Sequence, residues 1–464
     1  MPDAEAKPAG TSELGEAKSP PPHRLLPRLA RDPHQTLIDL GNQAGGALLR
    51  LDLGLFRPYL VTHPAHVQHI MRDNVGNYTR DGNSMLWRSV RRAAGDGILS
   101  EGPGWVTSRR IMQPLFTPKR IDPLIEEMAS AVSDAVDELD EAARTGQPID
   151  IAAELSRIVC HAVTRVFFAD KISVPDALRL VSAQDTLVTS AKSRFLVPFM
   201  PDFVPMPGDR AFRDALHTID ELLLPVVREA RRRPSDSDDV VATLGRARTE
   251  DGHELDEQRM RDDVVAMFAV TTETTYAVLT WLWPILDQHP EIADRLYDEI
   301  ETVVGAAPVD RSHLPELRYT RMVLDELLRM FPPGWLLPRR VMAADVLGGV
   351  PLKPGATVIL SPYVTQRMAA FWDRPEVFDP ERFAPDQPKR AHRYSYYPFG
   401  GGPHQCIGAH LFSLEAQIIV ATLLSRFRFR LRAPGIPVPK VAASLRVRDR
   451  VEMTLLPVKR PAAA

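Results

Sequence analysis

A helical pattern more than 30 residues long, from Glu254 to Gln288, limits what this chain can fold into. At about 1.5 Å per residue it runs to about 50 Å, the width of a domain. Its most apolar part, VVAMFAVTTETTYAVLTWLWPIL (Val264–Leu286), has the look of a membrane span, yet it carries Glu273 and five threonines near its middle. An isolated carboxylate at that depth in a bilayer is costly. The better expectation is a helix buried in a soluble core, its polar residues facing something internal.

The rest of the chain supports a mainly α fold with a small β region. Arg110 to Pro332 is mostly helical in pattern, and DPLIEEMASAVSDAVDELDEAAR is amphipathic and closes near Gly146. Near the start, ALLRLDLGLFRPYLVTHP reads as two strands around Gly54 and a short helix from Pro64; after Pro333 the chain turns to strand and loop. The apolar, proline-rich Arg194–Asp209 stretch suggests a lid or access loop. No repeat and no Gly/Ser linker divides the chain, so one domain is expected over 24–460, with a disordered leader at 1–23 and a frayed tail at 461–464. The leader has neither a signal peptide's nor an anchor's pattern.

The chain has 464 residues, 44% of them hydrophobic, enough for a large core. A net charge of −3 offers no basic face for nucleic acid. Two cysteines, Cys160 and Cys406, build no disulfide framework and suit a reducing, cytoplasmic setting. Cys160 lies inside a helical pattern as a small buried hydrophobe.

Cys406 is different. It follows three glycines in FGGGPHQCIGAHLFSLEAQ, and Ile407, Leu411, Leu414 and Ile418 then mark one face of a helix. That spacing predicts a helix from Ile407 to about Arg426, with the thiol at its N-terminus, where free N–H groups favour thiolate. Gly400–Gly402 and Gly408 permit close backbone approach to a flat or bulky partner. The loop can be read as a plain turn with a buried cysteine. It can be read as a phosphate loop, although no Gly-Lys-Ser/Thr ending follows. A zinc site would have only His404 and His410 as nearby partners. Haem iron needs a single sulfur ligand.

The loop resembles the haem-ligand loop of the cytochromes P450, with Phe399, Gly400, Gly402, Cys406 and Gly408 matching position by position. His404 stands where that family usually has arginine, a residue the resemblance places on a haem propionate. Further marks follow in family order. Trp105 and Arg109 in GWVTSRR are implied on a propionate, as is Arg340, chosen over Arg339 by counting back five residues from Asp345. Glu326 and Arg329 in DELLRM, with Arg382 in FDPERF, resemble the family's buried structural network. Glu273 and Thr274 in AVTTETT match the acid and alcohol of its oxygen-binding helix, where a hydroxyl relayed to a carboxylate delivers protons. Val270 and Thr271 depart from the small residue and glycine usual there. Threonine as mere helix filler fits badly here, since four threonines in five positions are poor helix formers.

The resemblance, covering about residues 24 to 460, implies a single-domain P450 fold and a haem-thiolate monooxygenase. It implies haem b on Cys406 and catalytic roles for Thr274 and Glu273. It implies an apolar substrate, such as a terpenoid, polyketide or fatty acyl compound, hydroxylated or epoxidised. Met267, Phe268, Val270, Thr271, Trp335 and Leu336 would line the pocket, with the loops near residues 81–99, Phe199 and Leu445. No flavin or iron–sulfur segment is visible, so electrons from NAD(P)H would arrive through ferredoxin and ferredoxin reductase, to a monomer with no membrane anchor. Arg109, Arg110, Lys119, Arg120, Lys389, Arg390 and Arg393 would either steer an acidic partner or stand as scattered solvated charges. The rival readings are a peroxygenase of the same fold and a non-catalytic haem sensor.

Overall fold

The computed structural model describes residues 14–80, 88–190, 203–388, 390–440 and 444–458. Chain contacts divide it into two units, taken in turn.

The first unit joins residues 1–81, 329–378 and 386–406. Its centre is a mixed six-stranded sheet, ordered Glu16–Lys18, Leu48–Arg50, Tyr59–Val61, Thr357–Leu360, Leu337–Val341 and Tyr78–Thr79. Alternation buries Leu48, Val61, Val341, Val358 and Leu360 on one side, where Tyr78, Tyr394 and Tyr397 close the core. The two strands expected around Gly54 pair antiparallel, Leu49 with Leu60, and Pro64–Gln68 follows as the short helix. Order begins earlier than composition suggested. Glu16–Lys18 pairs parallel with Leu48–Arg50, and a helix runs from Pro22 to Arg31, so part of the expected leader is structured. A strand edge distant in sequence supplies that order, and local composition does not register it.

The second unit joins residues 82–328, 379–385 and 407–464 and is mainly helical. The long element is two helices, Glu257–Thr280 and Leu282–Gln288. It starts later than the pattern predicted because Asp256 caps it, accepting the Arg259 N–H at 2.7 Å. It breaks at Trp281 because Pro284 has no N–H to give the Thr280 carbonyl. The helices Ile125–Asp137, Ile151–Phe168 and Asp209–Arg232 accompany it, with a three-stranded antiparallel sheet of Phe427–Leu431, Glu452–Pro457 and Ile149–Asp150. The amphipathic stretch closing at Gly146 is split, Ile125–Asp137 then Asp140–Thr145, and Gly146 (φ 70°) is the left-handed cap.

Among the described residues, one helical stretch, Gly402–Arg426, is long and apolar enough to cross a membrane, and 67% of its most apolar window is buried.

Candidate active site

The cysteine loop belongs to the first unit. The Cys406 N–H donates to the Phe399 carbonyl at 2.9 Å and closes the loop, leaving the thiol exposed. Gly400 and Gly402 are left-handed, φ 68° and 65°. A Cβ on Gly402 would lie 1.8 Å from the Met71 carbonyl oxygen, and one on Gly401 would lie 2.4 Å from the Tyr394 ring. Gly400 faces open space. Two of the three glycines thus serve approach to the chain's own backbone and ring, and only Gly400 leaves room for a partner. The following helix starts at Ala409, with Gly408 as its cap, two residues later than the spacing predicted. Cys406 therefore stands outside the first turn, and the helix dipole that was expected to favour thiolate acts on it only weakly.

What stiffens the loop is a buried chain of hydrogen bonds. The Arg329 guanidinium donates to the carbonyls of Gln366 and Pro375, both at 2.8 Å, and of Val377 at 3.2 Å. Gln366 returns its amide to the Arg329 carbonyl and accepts the Tyr397 N–H, both at 2.9 Å. Tyr397 lies two residues before Phe399, and its hydroxyl meets Thr365 at 3.0 Å. Sequence reasoning found Arg329 but not Gln366.

Two further groups of this unit carry positive charge or donors. His404 Nδ1 lies 2.5 Å from Arg80 Nη2, a contact no local pattern announced. On the strand Leu337–Val341, alternation buries Arg339 and exposes Arg340, the residue chosen by counting. Trp335, expected in the pocket, is buried against His34 with ring centres 4.7 Å apart; Leu336 beside it is half-buried.

In the second unit, every residue from Met260 to Leu286 is buried except Ala269, Val270, Glu273 and Thr274. These four sit at i, i+1, i+4 and i+5 and form one stripe on the helix. Thr274 donates to the Val270 carbonyl at 2.8 Å. Glu273 is turned to the C-terminal segment instead: it accepts from Ser444 and pairs with Arg446 Nη2 at 2.6 Å. Arg446 also bonds Asp185. Burial works against the charge on Arg446, but Glu273, Tyr276 and Asp185 outweigh it and raise its pKa. Glu273 and Thr274 thus hold separate hydrogen-bond partners. Met267, Phe268 and Thr271 fall off the stripe. Phe268 packs edge-on to Phe168 at 5.9 Å, and Thr271 bonds back to the Met267 carbonyl at 2.7 Å. They are core residues, and of the expected lining on this helix only Val270 lies on the stripe. Leu445 is buried, its carbonyl accepting from Trp281 at 3.3 Å. The loop residues 81–87 and Phe199 lie outside the described residues.

Next along the helix, Thr275 donates to Glu415 at 2.9 Å. Glu415 is fully enclosed, and burial pushes its carboxyl up to about 8 against the Thr275 bond, which lowers it. Its only sequence signal is one carboxylate inside an otherwise apolar helix. Glu326, also without exposure, accepts the Asp379 N–H at 2.8 Å and lies 3.4 Å from Arg382 Nε, so these two expected partners do meet. Trp105 and Arg109 are half-buried on the helix Pro103–Met112, where Arg109 donates to Gln113 at 2.8 Å. Between them Ser108 lies 2.6 Å from Asp263 and straps this helix to the long one. Of the expected basic patch, Arg120 pairs with Asp238 at 2.6 Å and Arg110 with Glu250 at 3.6 Å, so these two charges are matched; Lys389 lies outside the described residues. His410 bonds Asp122 at 2.8 Å.

A glycine loop ending in one exposed thiol, on a core tied by buried Arg329, agrees with what the whole sequence matches. The family model for cytochrome P450 matches residues 24–448. The chain belongs to the cytochrome P450 family. Its similar relatives include pentalenene oxygenase of Streptomyces avermitilis, 30% identical over 83% of this chain and 84% of that protein. Cyclooctatin synthase and cyclooctat-9-en-7-ol 5-monooxygenase, both of Streptomyces melanosporofaciens, are 30% and 31% identical over 94% and 87% of this chain and 92% and 86% of theirs. The crystal structure of the cytochrome P450DA heme domain matches its fold with a TM-score of 0.84 at 21% identity, over 96% of this chain and 99% of that one. This P450 is a monooxygenase acting on a hydrophobic small molecule, and its family carries haem iron.

Proposed function

We propose that this P450 oxidises a cyclic terpenoid hydrocarbon or alcohol, with the Cys406 thiolate as protein ligand to the iron of haem b. The observation that carries the ligand is the exposed thiol at the end of a loop held by Arg329, Gln366 and Tyr397. The residues fit the group: one thiol, and on the same unit the donors His404 and Arg340, with Arg339 as its rival, suited to its carboxylates, joined in this reading by Trp105 and Arg109. When bound, haem with a thiolate ligand supplies oxygen activation.

The chain's own residues do the rest. Thr274 lies on the unburied stripe of its helix and is the hydroxyl that passes protons. Glu273, held by Arg446 and Ser444, keeps a carboxylate one residue away. Ala269 and Val270 give the stripe an apolar surface that excludes water and accepts a hydrocarbon. Relatives named as oxygenases of pentalenene and cyclooctat-9-en-7-ol support the terpenoid class. Electrons come from NAD(P)H through a ferredoxin and its reductase, to a monomer in the cytoplasm.

The test is the carbon monoxide difference spectrum of the reduced protein beside that of Cys406→Ser. A thiolate-type band in the first and its loss in the second is expected; an unchanged band in the variant refutes the ligand. Titration with cyclic terpenes should then shift the ferric spin state, whereas a response only to fatty acids would refute the substrate class.

A further inference from the structure

The long helix carries two adjacent carboxylates that the proton path through Thr274 does not use. Asp262 accepts the Asp96 N–H at 3.1 Å, and Asp263 accepts the Ile98 N–H at 2.8 Å. These donors belong to the turn Gly95–Ile98, which follows the helix Arg88–Ala94. The turn is built to come this close. A Cβ on Gly95, at a left-handed φ of 62°, would lie 1.8 Å from Asp262 Oδ2, and one on Gly97 would lie 2.4 Å from Asp263 Oδ1. Both carboxylates are buried and each has a cation, with Arg261 3.2 Å from Asp262 and Arg259 3.3 Å from Asp263. Such a clamp holds one geometry, because a shifted turn would leave buried acceptors short of donors.

Helix geometry says where the turn stands. Residues seven apart are separated by nearly two whole turns, so Asp262 shares a face with Ala269, and Asp263 shares one with Val270. Glu273 and Thr274 continue the same two rows. The separation along the axis is about 10 Å. Ala266 lies between them on this face and is wholly buried, whereas Ala269 and Val270 are not. The face is therefore covered as far as Ala266 and open beyond it, and the clamped turn is docked at the covered end.

We propose that Asp262 and Asp263 are positioning residues that fix the length of the substrate groove: they register Gly95–Ile98 against the long helix, so that this turn walls off the end of the open stripe. This rests on the reading of that stripe as the surface facing a cyclic terpenoid. It makes the size limit on that substrate depend on two hydrogen bonds that no substrate atom touches.

The experiment compares holoprotein as wild type, Asp262→Ala/Asp263→Ala, Asp262→Asn/Asp263→Asn and Gly97→Ala. Alanine removes the acceptors, and asparagine keeps an acceptor oxygen at each N–H. Gly97→Ala keeps both carboxylates and pushes the turn off Asp263 without a left-handed φ, so it tests the wall even where the alanine pair fails to fold. Amide exchange at Asp96 and Ile98 is read by mass spectrometry, and spin-state titrations use limonene, caryophyllene and cembrene, cyclic terpenes of rising size. Exchange at both amides should quicken about tenfold or more in the alanine pair and stay near wild type in the asparagine pair. Affinity for cembrene relative to limonene should rise about tenfold in the alanine pair, shift in Gly97→Ala, and keep its wild-type value in the asparagine pair. Unchanged exchange in the alanine pair overturns the clamp. Faster exchange with an unchanged affinity ratio overturns the wall, and so does an asparagine pair that behaves as the alanine pair does. A wild type that responds to none of the three terpenes overturns the terpenoid reading and this proposal with it, whatever the exchange rates show of the clamp.

Discussion

Replacing Glu415 by glutamine should stabilise this P450, and by more as pH rises. Glu415 is enclosed by protein, accepts one hydrogen bond from Thr275, and has its carboxyl raised by burial to about 8. In the unfolded chain it ionises near the ordinary 4.5. Between those two values the unfolded state gives up its proton and the folded state keeps it, so wild-type stability falls as pH rises through that window. At about 1.4 kcal/mol per unit, the loss at pH 7 is about 3 kcal/mol as an upper bound, and at pH 5 less than about 1 kcal/mol. Glutamine has nearly the same volume and can still accept from Thr275, but it has no proton to lose. For a chain of 464 residues the unfolding entropy makes about 1 kcal/mol worth about 1 °C in midpoint. Holoprotein melts at pH 5, 6, 7 and 8 should therefore show Glu415→Gln within about 1 °C of wild type at the lowest pH, about 3 °C above it at pH 7 and about 4 °C above it at pH 8. A difference that does not change with pH, or a glutamine variant less stable at pH 8, would refute the claim that this carboxyl is held neutral by burial.

The remaining predictions test other parts of the frame. Gly402→Ala places a Cβ against the Met71 carbonyl at a left-handed φ and should abolish the folded loop; Gly400→Ala has the same φ but open space and should cost only about 1 kcal/mol by denaturant unfolding. Comparable losses at the two positions would contradict the contact. Arg382→Met removes a cation 3.4 Å from the buried carboxylate of Glu326 and should cost about 3–5 kcal/mol, much of it recovered in the double variant with Glu326→Gln, as a double-mutant cycle would reveal. Asp345 is drawn upward by burial, but hydrogen bonds from Tyr78, His69, Val346 N–H and Asn74 hold it at about 2. Its folded value lies below the unfolded 3.8, so its contribution is complete above that and fades as pH falls toward 2. Asp345→Asn should therefore melt lower than wild type at pH 7 and converge with it in strong acid.

How far the site could be read in the sequence depended on how its parts are joined. The cysteine loop was legible because its residues are contiguous and its glycines are an explicit backbone demand. The long helix was legible as an apolar run, though its break at Trp281 is written only in Pro284, four residues past the carbonyl it fails to serve. Glu326 and Arg382 could be named because their motifs are distinctive, yet Gln366, which connects Arg329 to the loop, has no motif at all. Counting alone could not weigh Arg340 against Arg339. Counting from Asp345 measures distance along the chain, whereas a strand alternates faces at every residue, and one step separates solvent from core. Arg80 was beyond reach, because its partner lies 324 residues away and only the pairing of Tyr78–Thr79 with Val341–Arg340 brings it near. Sequence therefore names the groups that bind and react more readily than the groups that orient them. A motif records what a ligand demands of the chain locally, whereas Arg80, Gln366 and Arg446 answer to partners that the fold alone delivers.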